Sequence, residues 1–200
     1  MEEREVLNHW KYFISLEKDI TKLKNYIEIH QDNFEVYSFE LSKLLQLSCS
    51  EIDSVCRLLC KIIDTDNDYF DESIFSGNIA QYKHAILGRY PNFTKAKIFV
   101  PDLEAILTPW QDWKNEDSPG WWKSYNKVKH YRHSNFKEAS LKNVLYSMSA
   151  LMTLNLYLYR SVMSTPYANP SPSTNFFDSD YCSPHLITRA EKELPDFEQS

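Results

Sequence analysis

Apolar residues recur along most of this chain at the three- and four-residue spacing of an amphipathic helix, and the breaks in that recurrence divide it into segments. Over residues 2–30, Val6, Trp10, Phe13, Ile20, Leu23 and Ile27 form one stripe with charged residues between them, which predicts a first long helix. The Asp32-Asn33 pair interrupts it. A second helix is predicted over residues 35–63, on a stripe of Tyr37, Leu41, Leu44, Val55, Leu59 and Ile62. Ser48 and Glu51 fall on that same stripe. A carboxylate there costs free energy unless it is paired, so Glu51 either has a partner or lies wet at the rim.

Residues 64–78 predict a loop. Asp64, Asp66 and Asp68 imitate the first ligands of a calcium loop, but Tyr69 stands where glycine is needed and Phe75 where the bidentate glutamate is needed. A solvated loop follows. The next helix is short, over 79–87, and stops at Gly88 with Pro91 just beyond. "KIFVPDLEAILTPW" predicts an extended apolar entry, a turn at Pro101 and a short helix over 103–107, with Trp110 and Trp113 packing over the bundle end. Ser118 and Pro119 then suit the cap and the first position of a helix running to residue 134.

The last helix, over 138–163, is apolar almost all round from Val144 to Tyr159. It is too short and too dotted with Ser, Thr and Asn for a membrane span. It is either the central helix or one buried again by a second subunit. From Thr165 the chain is rich in proline and serine, which predicts a tail that is mobile or laid over the surface. The fold class is therefore all-α: an antiparallel bundle of four to five main helices over 1–164, with a tail over 165–200. The presence of only three glycines argues against a turn-rich β-protein.

Charge changes this picture locally. The net charge of −6 excludes a protein coated in basic charge for indiscriminate nucleic-acid binding. Residues 121–142, however, hold five lysines and Arg132 against Glu138 alone, a local +5 on a body that carries −11. The start "MEEREVLNHW" has no secretory pattern, and a cytoplasmic setting is expected. Cys49, Cys56 and Cys60 share one predicted helix and read as buried, reduced thiols. No metal is expected at them, since neither a CxxC-like pair nor a nearby histidine accompanies them. No motif names a cofactor.

The patch lies in "SPGWWKSYNKVKHYRHSNF", residues 118–136. On a helical wheel Trp122, Asn126, His130 and His133 share one stripe, and Trp121, Tyr125, Val128 and Arg132 share its neighbour, with Lys123, Lys127 and Lys129 flanking both. A neutral histidine beside a cation could take a proton from a ribose 2′-OH while the cation stabilises the phosphorane. Asn126 could orient the ring or hold a phosphate oxygen, and a tryptophan could stack on a base. The plainer alternative is a solvated lysine face over core tryptophans.

The pairing of "YSFELSKLLQLSCSEIDSVCRLLCKI" with "WWKSYNKVKHYR" resembles the HEPN superfamily, all-α domains of RNases, toxins and antiviral effectors and their non-catalytic partners. The resemblance covers residues 35–163. Of the family's motif (arginine, a polar residue, three variable residues, histidine), Asn126 matches the polar position and His130 the histidine, while Tyr125 stands at the arginine. It implies a metal-independent endoribonuclease or RNA- or nucleotide-binding domain of a prokaryotic defence or toxin–antitoxin system. His130 would carry the proton, Asn126 would orient it, and Lys129 or Arg132 would stabilise charge. Trp122, Tyr125, Lys123, Lys127, His133 and Glu51 would line the site, with Glu51 beside His130 or a nearby cation. It also implies a homodimer. The alternative is a non-catalytic module that holds a partner protein or antitoxin; a small-molecule enzyme with a pocket between Trp122 and His130 ranks below both.

Overall fold

A computed structural model describes residues 3–65, 78–163, 169–179 and 194–197. Among these the protein is predominantly helical: α1 (Glu3–Leu23), α2 (Phe39–Ile63), α3 (Ile79–Arg89), α4 (Gly120–Asn135) and α5 (Leu141–Met163), with one small sheet of β1 (Ile98–Val100) and β2 (Ala105–Leu107). The calcium-like residues 66–77 and Cys182 lie outside the described residues.

α5 is the centre of the fold. It packs on α2, α1 and α4, and is buried on nearly every side from Val144 to Arg160. Its apolar character is therefore accounted for within one chain, which removes the ground on which a second subunit was expected to cover it. Two hydroxyls that fall inside pair with each other: Ser48 of α2 and Ser147 of α5 are 2.8 Å apart. No helix among the described residues is long and apolar enough to cross a membrane.

Several boundaries differ from the pattern. α1 ends at Leu23, where Lys24, Asn25 and Tyr26 close tighter i→i−3 bonds, so the predicted helix over 2–30 is one turn and more too long. α2 begins only at Phe39, capped by the Ser38 hydroxyl, which accepts from the Leu41 N–H at 3.1 Å. Tyr37 is extended, bridges to Ser140 and is half exposed, so it does not belong to the buried stripe. α3 runs through Gly88 to Arg89 from a complete Asn78/Gln81 capping box.

Of the predicted helix over 103–107, Leu103 ends a single 3-10 turn and residues 105–107 are β2, paired antiparallel with β1, Ile98 opposite Leu107 and Val100 opposite Ala105. Alternating burial along Ile98-Phe99-Val100 is the strand period, and Glu104 takes the left-handed conformation (φ 51°) that closes the turn. Trp110 and Trp113 are fully buried, and the Trp110 indole N–H donates to the Ala150 carbonyl at 3.2 Å, so Trp110 packs on the middle of α5 and not over its end.

The described part of the tail is docked, with Phe176, Phe177 and Leu194 inside the core. Its anchor is Glu17, a buried carboxylate that accepts backbone N–H bonds from Asn175, Phe176 and Phe177 at 2.9–3.1 Å. Cys49, Cys56 and Cys60 are buried on α2, and burial pushes all three thiols up, Cys60 to about 12. In the native protein these three remain unalkylated by iodoacetamide until denaturant is added, as peptide mapping by mass spectrometry would read.

Candidate functional site

α4 starts at Gly120, one residue later than the serine-capped start. Its first N–H is held by the Asp112 carboxylate at 2.8 Å, reached from the preceding loop, and Ser118 makes no cap. Trp121 is locked by donation to the Pro109 carbonyl at 2.8 Å, and Trp121, Trp122, Tyr125 and Val128 are all buried. Trp122 packs on Trp121 and Tyr125, with ring centroids at 5.9 and 5.1 Å. It is a wall and not an exposed platform for stacking.

Between α4, α2 and the start of α3 lies a cleft of about 520 Å³. α4 contributes Trp122, Tyr125, Asn126 and Lys129 to it, four of the residues singled out in the sequence; α2 contributes Ser50, Asp53 and Arg57. Lys129 sits over the Tyr125 ring, 5.5 Å from its centroid. Burial pushes the Tyr125 hydroxyl up and Lys129 draws it back.

The other candidates are not brought into this cleft. Lys123 pairs with Glu116 at 3.0 Å and Lys127 with Glu138 at 2.9 Å, both exposed, so part of the basic patch is neutralised by its own surroundings. The Lys127 and Ser124 bonds hold the Glu138 carboxyl below its usual range. His130 is exposed, and lines neither this cleft nor the grooves of about 1040 and 570 Å³. The geometry explains this: Trp122, Tyr125, Asn126 and Lys129 centre the cleft face, and His130 lies about 90° from that centre at 100° per residue. Tyr131 departs from helical angles (φ −138°, ψ 46°), so Arg132 and His133, both exposed, lie past a kink and do not continue either stripe.

Glu51 also corrects an expectation. It does have a partner, but that partner is His9 of α1, whose Nδ1 lies 2.5 Å from Glu51 Oε1; it forms no hydrogen bond or ion pair with His130. His9 lines a groove of about 1040 Å³ between α1 and α2, on which Arg57, Lys61 and Leu58 also open.

Sequence reasoning missed Asp53, Arg57 and Tyr82. Arg57 Nη2 donates to Asp53 Oδ2 at 3.0 Å, and the buried Tyr82 hydroxyl of α3 donates to Asp53 Oδ1 at 3.0 Å. Burial and the Asp53 charge push the Tyr82 hydroxyl up. The only signal in the sequence was an acid four residues before a base on α2, which reads as an ordinary surface pair. Among the described residues no cluster of His, Cys, Asp and Glu could hold a metal ion. No family model, curated protein or solved structure matches this chain.

Proposed function

We propose that this chain is an antiparallel helical bundle of the HEPN-like kind, acting in the cytoplasm, that binds RNA or a nucleotide at the α4 cleft. The observation that supports this best is the cleft's own composition. It joins a cation with no ion pair among the described residues (Lys129), a carboxamide (Asn126) and two aromatic walls in a volume that suits a small ligand. Binding is favoured over cleavage. Tyr125 replaces the motif arginine, and His130 stands outside the enclosure that would exclude water from a phosphorane.

The test is fluorescence anisotropy of a labelled single-stranded RNA over a salt series. Wild-type protein is expected to bind with a falling log K against log salt, and Lys129→Ala to make that slope shallower by about one. In the absence of divalent metal, wild-type and His130→Ala proteins are expected to leave the RNA equally intact. Cleavage lost in His130→Ala would instead restore the enzyme. Absence of binding at low salt would overturn the RNA reading.

A second reading, a module that holds a partner protein, is favoured by a separate surface. Tyr37 and Phe39 are 50% and 73% exposed yet fixed against Phe136, at centroid distances of 5.4 and 5.0 Å. Exposed rings held in place in this way are a common feature of docking surfaces.

A further inference from the structure

Resting on the RNA reading of the α4 cleft, we infer that the bound single strand runs on from that cleft to a second subsite at the start of α2. There Tyr37, Phe39 and Phe136 stack on its bases, and Arg132 and Lys137 hold its phosphates. One face of α2 joins the two places. At about 100° and about 1.5 Å per residue, Phe39 and Ser50 lie within about 20° of each other and about 16 Å apart along the helix. Ser50 and Asp53 line the cleft. Lys43 and Gln46 fall on the same stripe between them, and Phe39, Lys43 and Ser50 are exposed on it. α4 runs the other way, from the cleft residues Trp122–Lys129 to Phe136 just past its end, whose ring lies 5.0 Å from that of Phe39.

The rings are fixed before a ligand arrives. Tyr37 bridges to Ser140, the Leu141 N–H donates to the Val36 carbonyl at 2.8 Å, and the Ser38 hydroxyl caps α2. Phe136 stands edge-on to Tyr37, with centroids 5.4 Å apart. Tyr37 and Phe39 are nevertheless 50% and 73% exposed. Rings held open in this way lose little freedom when a base stacks on them. Unpaired bases offer the faces for such stacking, so the ligand is a single strand and not a duplex.

Charge separates a strand from a partner protein. Arg132 and His133 precede Phe136 by four and three residues, Lys137 follows it, and all three are exposed. Arg132 and Lys137 form no ion pair among the described residues. Of the acids on these segments, Glu40 is taken by Lys43 and Glu138 by Lys127, which leaves Glu35. Two unpaired cations against one carboxylate give a positive surplus beside the rings, on a chain whose net charge is −6. A partner protein would need the rings alone; the cations and the polar stripe leading to the cleft are what a polyanion needs.

The experiment measures anisotropy of fluorescein-labelled oligouridines of about 4 and about 12 nucleotides over a salt series. At ~3.4 Å per phosphate, the gap of about 16 Å takes about five nucleotides, so the short strand does not reach both subsites. The proteins are wild type, Phe39→Ala, Phe39→Leu, Phe39→Trp, Arg132→Ala, Lys129→Ala and Lys61→Ala, with thermal melts beside them. Lys61, at the other end of α2, opens on the groove between α1 and α2 and reports the diffuse field. Length alone multiplies the registers a strand can adopt, so the diagnostic is which variant affects which length. Lys129→Ala is expected to weaken both lengths. Phe39→Ala is expected to weaken the long strand about fivefold or more and the short strand less than about twofold. Phe39→Leu is expected to lose as much as alanine and Phe39→Trp to bind as wild type, since stacking needs a ring and not bulk. Arg132→Ala is expected to make the long-strand salt slope shallower by about 0.7, the single-strand value for one phosphate contact. Lys61→Ala is expected to change affinity by less than about twofold.

The outcomes separate. Wild-type protein that binds neither length overturns the RNA reading and this inference with it. Long-strand binding weakened by Lys129→Ala but untouched by Phe39→Ala and Arg132→Ala overturns the second subsite alone and gives the rings to another occupant. Losses from Phe39→Ala with none from Lys129→Ala overturn the cleft reading and the continuous path. Phe39→Leu that binds as wild type overturns the stacking, and equal losses from Arg132→Ala and Lys61→Ala overturn the phosphate contacts in favour of a diffuse basic field.

Discussion

Glu17→Ala lowers the free energy of unfolding by about 3–5 kcal/mol, read as a lower urea midpoint at little-changed slope. The cause is local and countable. Glu17 is 1% exposed and accepts from three successive backbone N–H groups of the tail. Ionised acceptors make the stronger kind of hydrogen bond, and each buried N–H left without one costs about 1–3 kcal/mol. Alanine orphans all three at once and opens a void beside Phe13 and Phe177, whose rings lie 6.1 Å apart. Glu17→Gln keeps one acceptor oxygen but turns an amide N–H₂ on the Asn175 N–H, so about half the loss is expected. If alanine at this position shifted the midpoint no more than an ordinary surface substitution, the docked tail would contribute little to the fold.

Glu17 also shows what the sequence made legible and where the reading stopped. Val6, Trp10, Phe13 and Ile20 mark the buried face of α1, and Glu17 falls between Phe13 and Ile20 at the spacing of that face. The argument that singled out Glu51 on α2, that a carboxylate on a core stripe needs a partner, holds more strongly at Glu17. That partner is a proline- and serine-rich segment more than 150 residues away, with no periodicity to announce that it packs. Periodicity finds helices and the side they bury. It does not find what returns to cover them.

The same limit divides the candidate site. Trp122, Tyr125, Asn126 and Lys129 share the cleft because helical geometry alone puts them on one face. His130 looked equivalent because it is one turn from Asn126, yet the cleft is centred on the other side of that residue. Arg132 and His133 were misplaced by a kink at Tyr131 that no proline or glycine signals. Arg57 belongs to another helix, so only tertiary packing could bring it in. In the hairpin the extended entry and the turn at Pro101 were legible, and only β2 was missed, because a strand of three residues is too short for its period to be told from a helical turn.

Trp110→Ala is the second large effect, about 3–5 kcal/mol of stability together with weakened binding at the α4 cleft. Trp110 is wholly buried among Phe93, Trp113 and Trp121, at centroid distances of 5.4, 4.2 and 5.2 Å. Truncation removes its transfer free energy, leaves a cavity that α5 and the buried rings can close only in part, and strips the Ala150 carbonyl of its indole donor. Against a usual total of about 5–15 kcal/mol this is a large share. The functional consequence follows from the ring contacts. Trp110 abuts Trp121, Trp121 abuts Trp122, and Trp122 abuts Tyr125, so an unbroken aromatic row runs from the core to the cleft wall. Trp113→Phe is the control, since it removes an indole N–H that is buried with no hydrogen-bond partner among the described residues. Relief of that orphan offsets the lost volume, and a change within about 1 kcal/mol is expected. Urea unfolding of both variants, with RNA anisotropy on the folded fraction, separates the two cases. Should Trp110→Ala melt early yet bind RNA as wild type, the aromatic row supports the fold without shaping the cleft.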